Sequence, residues 1–124
     1  MKQITQEEVL NQLLLRKGKS NGIHVRDLVM RLTGQVENAE FQERAVRKLV
    51  NELRMAGHPI CGHPASGYFL AANTEELEET CKFLRSRAMS SIRAESRLRQ
   101  ISVTALLGSI QTAAQTGTTE SPTP

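Results

Sequence analysis

Residues 44–71, RAVRKLVNELRMAGHPICGHPASGYFLA, join a helical pattern to a hairpin pattern. The apolar residues of the first half repeat at helical spacing and predict one buried stripe: Val46, Leu49, Val50 and Leu53. The predicted helix spans residues 39–56 or 42–56, because Gly57 is a natural C-terminal stop and Pro59 cannot continue a helix. Two short segments around a glycine- and proline-rich tip then predict a two-stranded hairpin, which must pack on helices because two strands alone are marginal in water.

Two shorter helices are predicted before this stretch. Thr5 and Glu8 have the spacing of a capping box, so a first helix begins after Thr5. Residues 24–32 predict a second helix that ends at Thr33-Gly34. The apolar stripes of the two helices are Val9, Leu10, Leu13 and Leu14, and Val25, Leu28, Val29 and Leu32.

A long helix is predicted over residues 75–99, with Asn73 or Thr74 as its N-cap. Five residues of low polarity share one of its faces: Leu77, Cys81, Leu84, Ala88 and Ile92. At ~1.5 Å per residue this helix is longer than a small domain is wide, so the face needs a partner. We expect a homodimer through residues 75–99; the alternatives are that the helix folds back over the domain, with Cys81 as a small core residue, or frays.

The residues after 103 are mostly Ala, Gln, Ser, Thr, Gly and Pro. A few apolar side chains could extend a helix or dock weakly, but beyond Gln111 too little apolar surface remains to offset the ordering entropy. We therefore expect three parts: a domain over residues 1–72, a long helix over 73–103 and a mostly disordered tail over 104–124.

The charge balance and the cysteine count limit the class of protein. Sixteen Lys and Arg against thirteen Asp and Glu give a formal net charge of +3, which permits a nucleic-acid partner without requiring one. Two cysteines are few for a small secreted protein, no apolar run approaches the ~20 residues of a membrane span, and the N-terminus lacks an apolar signal segment. We expect a cytoplasmic protein of bacterial or phage origin, without a membrane partner.

The order helix, helix, helix, two-stranded hairpin is that of a winged helix-turn-helix. The predicted class is therefore mostly α with a small β-hairpin (α+β), a winged helix-turn-helix followed by a long C-terminal helix. Residues 44–57, followed by Ile60 and residues 67–70, resemble the N-terminal DNA-binding domain of the biotin operon repressor and related bacterial winged-helix regulators. The resemblance covers roughly residues 5–72, and residues 44–70 are its most specific part.

Two departures limit what this resemblance implies. The second and third helices of that family are joined by a tight turn, whereas residues 34–41 make the join several residues longer here. The ligase domain of the biotin repressor also has no counterpart in this chain, so neither biotin chemistry nor effector sensing is implied. What the resemblance implies is contact with double-stranded DNA by one set of side chains: Gln42, Arg44, Arg47, Lys48 and Asn51 in the third helix, and His63 and Ser66 in the hairpin.

Metal binding and catalysis have weaker support. His58, Cys61, His63 and Cys81 do not have the paired spacing of common zinc sites, and Cys61 is better interpreted as a small strand residue. Ser66 near His63 or His58 lacks a nucleophile elbow and an orienting third group, and the chain has no phosphate-binding glycine loop. We therefore expect neither an enzyme nor a cofactor or metal.

Three functions are compatible with this pattern. The first is a sequence-selective transcriptional regulator that binds DNA as a homodimer. The second is a replication or recombination accessory protein, with the long helix holding another protein. The third is an adaptor in which the winged domain binds protein only, because a fold does not fix a function. The basic residues of the long helix could also hold DNA phosphates or an acidic protein.

Overall fold

The computed structural model of the chain describes residues 3–35 and 38–117. Its elements follow in the order α1 (Gln6–Leu13), a 3-10 turn (Lys19–Asn21), α2 (Val25–Thr33), α3 (Ala39–Met55), β1 (Ile60–His63), β2 (Gly67–Leu70), α4 (Thr74–Arg99) and α5 (Val103–Gly117). The chain divides after Cys81 into two compact units. The class is α+β and mostly helical, with one antiparallel hairpin and a long α4, which confirms the predicted class.

The core of the first unit is mostly aliphatic and lies between α1, α2, α3 and the hairpin, where Phe69 is also buried. The predicted stripes supply most of it: Val9, Leu13, Leu28, Val29, Leu32, Val46, Val50 and Leu53 are buried, together with Ile4, Ile23 and Ile60. The capping box of α1 is present, since the Glu8 N–H donates to Thr5 Oγ1 at 3.2 Å and the Thr5 N–H donates to Glu8 Oε1 at 3.0 Å.

The join between α2 and α3 uses left-handed backbone at both described ends. Gly34 ends α2 with φ of 71°, and its N–H donates to the Met30 carbonyl at 2.7 Å. Asn38 precedes α3 with φ of 58°, a conformation that asparagine tolerates better than most residues. Helix α3 therefore begins at Ala39, the earlier of the two predicted starts.

The residues on either side of the 3-10 turn pair with the outer edge of β2, and this pairing was not predicted from the sequence. The Ile23 N–H donates to the Tyr68 carbonyl at 2.9 Å, and the Tyr68 N–H donates to the Ile23 carbonyl at 2.8 Å. The Gly18 N–H donates to the Leu70 carbonyl at 2.8 Å in the same way. These bonds occupy backbone groups that an isolated two-stranded hairpin would leave open, and they help hold it in place.

The start of α4 belongs to the first unit and makes polar contacts within it. Asn73 is the N-cap, because its Oδ1 accepts from the Glu76 N–H at 2.9 Å. Thr80 is buried, and its Oγ1 accepts from the Gly62 N–H at 3.4 Å. Cys61 is buried in β1, as predicted, whereas Cys81 is exposed, which corrects its interpretation as a core residue. Position 81 therefore presents a thiol rather than a packed side chain.

The second unit contains the rest of α4 and a helix where the composition predicted mostly disorder. Gln100, with φ of 58°, ends α4, and Ser102 Oγ accepts from the Ala105 N–H at 3.0 Å at the start of α5. A capped segment rich in Ala, Leu and Gln has the propensity for a helix, and Leu106 on it is buried. This corrects the predicted tail as far as Gly117; residues 118–124 lie outside the described residues.

Within residues 3–35 and 38–117, no helix is both long enough and apolar enough to cross a membrane.

Candidate nucleic-acid interface

Helix α3 separates a buried apolar side from an exposed polar side. Val46, Val50 and Leu53 are buried on one side. The opposite side exposes four of the predicted contact residues: Arg44, Arg47, Lys48 and Asn51. Three of these side chains are cations and the fourth is an amide, so the exposed side offers hydrogen-bond donors to phosphate and base edges. We call these four residues the α3 outer face.

Gln42 does not belong to the α3 outer face, which corrects the expectation that it contacts DNA. Its side chain is only 6% exposed, and it lies four residues before the buried Val46. The helical spacing of positions 42, 46, 49 and 53 places Gln42 in the apolar stripe. The same spacing in the sequence assigns position 42 to the buried side of α3, although glutamine is polar.

Arg47 is joined to α2 through a shared carboxylate. Glu43 Oε1 lies 3.4 Å from Arg47 Nη2, one helical turn away. The other oxygen, Glu43 Oε2, lies 3.9 Å from Arg26 Nε on α2. The Glu43 side chain is 16% exposed, whereas those of Arg47 and Arg26 are 56% and 80% exposed. Sequence reasoning missed both Glu43 and Arg26, because their proximity depends on the packing of α2 against α3.

The tip of the hairpin is held against the start of α2. His63 Nδ1 accepts from the Ala65 N–H at 3.0 Å, and the Ser66 N–H donates to the His63 carbonyl at 3.1 Å. His24 Nε2 lies within hydrogen-bond distance, 3.2 Å, of the Ala65 carbonyl. Both predicted hairpin contacts, His63 and Ser66, are half-buried, and His63 has one ring nitrogen already engaged. The tip is therefore an ordered turn beside α2.

Tyr68 and Arg54 lie where α3 meets the hairpin. Arg54 Nε donates to the Ile60 carbonyl at 2.8 Å, which fixes the end of α3 to β1. Burial raises the pKa of Tyr68, and the positive charges of Arg54 and Arg47 oppose that rise. The phenol is thus neutral at physiological pH and adds no negative charge beside the α3 outer face.

The cysteines and histidines do not form a cluster. No group of three or more His, Cys, Asp or Glu side chains in the described parts of the chain is placed to hold a metal ion. Burial raises the pKa of the Cys61 thiol, and its Sγ donates to the Glu76 carbonyl at 3.6 Å. The Cys61 thiol is therefore a packed group with a backbone partner.

The predicted dimer face of α4 is largely exposed in the single chain. Leu77 and Leu84 are 38% and 41% exposed, Cys81 and Ala88 are exposed, and Ile92 is half-buried. In the second unit, Phe83, Leu98 and Ile110 are also large exposed apolar side chains.

Comparison with known proteins adds no relative: no family model, no curated protein and no solved structure matches this chain.

Proposed function

We propose that this chain is a winged helix-turn-helix protein that binds double-stranded DNA sequence-selectively, as a cytoplasmic transcriptional regulator acting as a homodimer. The observation that carries the proposal is the α3 outer face: Arg44, Arg47, Lys48 and Asn51 are exposed on a helix whose other side is buried. A helix of this kind fits the major groove, which is about 12 Å wide. The order of the elements, with a hairpin directly after α3, supports the same proposal.

Each residue type on the α3 outer face has a role in such a complex. Arg44 and Arg47 suit bidentate hydrogen bonds to guanine, and Asn51 suits adenine. Lys48 suits a phosphate oxygen, which positions the helix without selecting a sequence. His63 and Ser66 are near the hairpin tip and suit the DNA backbone. The mechanism is occupancy of a promoter, with no chemistry on the DNA.

The dimer part of the proposal rests on α4. Exposed apolar side chains at helical spacing lose contact with water when a second copy covers them, and this burial favours association. A twofold dimer would place two copies of α3 on half-sites about 34–36 Å apart. The proposal therefore predicts an inverted repeat as the binding site.

Selection of duplexes from a random pool tests the proposal directly. We expect enrichment of a spaced inverted repeat, and Arg47→Ala should weaken binding to that repeat by about 1–3 kcal/mol. Arg31→Ala, which removes the same charge from an exposed position on α2, is the matched control and should leave the selected sequence unchanged.

Salt dependence separates DNA binding from a protein-only adaptor. Affinity for duplex should fall steeply between about 50 and 200 mM salt, because bound phosphates release counterions. A pool without enrichment would remove sequence selectivity from the proposal. Absence of binding to any duplex at about 50 mM salt would overturn the proposal as a whole.

A further inference from the structure

We infer that Glu43 is a positioning residue that sets the sequence selectivity of Arg47, and that it does so by holding Arg47 and Arg26 on one carboxylate. The inference rests on the proposed function and deepens it. In this inference Glu43 does not itself contact DNA, and it affects which bases Arg47 selects.

The Glu43 carboxylate lies between an arginine on α2 and an arginine on α3. Glu43 Oε1 lies 3.4 Å from Arg47 Nη2, and Glu43 Oε2 lies 3.9 Å from Arg26 Nε. Glu43 also lines a cleft of about 280 Å³ between α2 and α3, together with Arg26, Val29 and Ala39. One acidic side chain therefore restricts two arginines that come from different helices.

The three side chains of this group are unequally exposed. The Glu43 side chain is 16% exposed, so its own rotamers are limited by the surrounding protein. Arg47 is more than half exposed, and a free arginine of that kind would sample many rotamers before binding. Pairing with a fixed carboxylate reduces that freedom in advance, so less entropy is lost when the guanidinium contacts a base edge.

The negative charge of Glu43 lies beside the cations of the α3 outer face. An acid beside a surface that binds phosphate weakens binding to every duplex, because like charges repel. The Glu43 charge therefore adds no affinity for DNA, and the effect that it can have on binding is on the geometry of Arg47. Glu40 offers a contrast on the same helix, since it is exposed and makes no ion pair with any described residue.

The same carboxylate also links base contact to backbone contact. Arg26 is 80% exposed and suits a phosphate oxygen at the edge of the groove. Because Glu43 joins Arg26 to Arg47, a phosphate bound by Arg26 would also restrict the position of Arg47 relative to the base edges in the groove. Arg26→Ala should reduce affinity for all duplexes and make the salt slope shallower by about one.

The test compares Glu43→Gln with Glu40→Gln, which remove the same charge from the same helix. The readout is the ratio of affinities for the selected duplex and for a scrambled duplex of equal length and composition. Both variants should bind the scrambled duplex slightly more tightly than the natural chain. Only Glu43→Gln should lower the ratio, by roughly fivefold or more. An unchanged far-ultraviolet circular dichroism spectrum and melting temperature would show that the variant folds.

A double-mutant cycle separates positioning from direct base contact by Glu43. In the Arg47→Ala background, Glu43→Gln should cause no further loss of selectivity, because its effect passes through Arg47. An equal loss in both backgrounds would overturn the inference, as would equal ratios for Glu43→Gln and Glu40→Gln. If the natural chain binds no duplex, or selects none, the proposed function fails together with the inference. An enriched pool with unchanged ratios overturns the inference alone.

Discussion

The Lys19 backbone N–H donates a hydrogen bond of 3.0 Å to the Glu76 carboxylate, and so joins the turn after α1 to the first turn of α4. The same carboxylate accepts from the Ala72 N–H at 2.9 Å. Two backbone donors from separate segments therefore meet at one side chain. This arrangement fixes the first turn of α4 within the first unit.

Glu76 should make the stability of the first unit depend on pH. The hydrogen bonds from Ala72 and Lys19, in that order, lower the pKa of Glu76, and the Lys19 charge adds to them. Since the folded pKa lies below the unfolded one, the stabilisation is present above the unfolded pKa and is lost as pH falls through the folded pKa. Glu76→Gln should therefore lower the melting temperature at pH 7, whereas in acid the variant and the natural chain should melt at nearly the same temperature.

The control for this experiment is Glu75→Gln, at the adjacent exposed position in the same helical turn. It should leave the melting temperature nearly unchanged across the same pH range. A protonated glutamic acid should behave much like the amide, so the difference in melting temperature between Glu76→Gln and the natural chain should shrink in acid. A difference that stays constant from neutral pH to about pH 3 would contradict the proposed pH dependence.

Gly67 should not tolerate a side chain. Its φ is +80°, and an added Cβ would overlap the Ile23 carbonyl of the segment that pairs with β2. Gly67→Ala therefore combines backbone strain with a clash against backbone, and we expect a loss of at least about 2 kcal/mol in the free energy of unfolding. Urea denaturation measures this loss.

Gly62 in β1 provides the comparison for Gly67. The nearest atom to a Cβ added there is Arg54 Nη2 at 3.4 Å, the far end of a flexible side chain. Gly62→Ala should change the free energy of unfolding by less than about 1 kcal/mol. Similar losses for both substitutions would show that the contact between the hairpin and residues 22–24 does not limit position 67.

The two cysteines should react at very different rates in the folded chain. Cys61 is buried with a raised thiol pKa, whereas Cys81 is exposed. Because the thiolate is the reactive form, a thiol-specific reagent at pH 8 should label Cys81 first and Cys61 only after unfolding. The reaction is run at protein concentrations below those at which the proposed dimer forms, because the dimer would cover Cys81. Mass spectrometry of the peptides identifies the labelled site, and Cys81→Ser should show almost no labelling without denaturant. Rapid labelling of that variant would mean that β1 opens readily.

The sequence predicted the helices and the hairpin because their boundaries depend on local chemistry. Thr5 and Glu8 cap α1, and Gly57 ends the α3 pattern, without help from distant residues. The pairing of Ile23 with Tyr68 was missed because it joins two segments that are far apart in the chain. Helix α5 extends further than was predicted, because a composition of Ala, Thr, Ser and Gln is compatible with both disorder and helix, and the capping hydrogen bond to Ser102 favours the helix.

The candidate site also has features that local sequence predicts and features that depend on tertiary packing. Exposure of Arg44, Arg47, Lys48 and Asn51 follows from the helical spacing of the buried residues on α3. The contact between Glu43 and Arg26 depends on how α2 packs against α3, and a single helical pattern contains no information about its neighbour. Periodicity therefore identifies the exposed residues, whereas packing determines which of them are held in one conformation.

The proposed dimer can be tested with one charge placed on the apolar face of α4. Leu84 is 41% exposed and shares that face with Leu77 and Ala88, so Leu84→Glu would place an unpaired carboxylate in the interface. We expect this variant to sediment as a monomer at concentrations at which the natural chain is a dimer. Phe83→Glu is the matched control, because Phe83 is 45% exposed but lies about 100° away around the helix.

Loss of the dimer should also change DNA binding in a defined way. A dimer that holds two half-sites binds more tightly than either half alone, because the second contact becomes intramolecular. Leu84→Glu should therefore lose at least about tenfold in affinity for the inverted repeat, with little change on a single half-site. Equal affinity of Leu84→Glu and Phe83→Glu for the inverted repeat, with both still dimeric, would exclude this face of α4 as the interface.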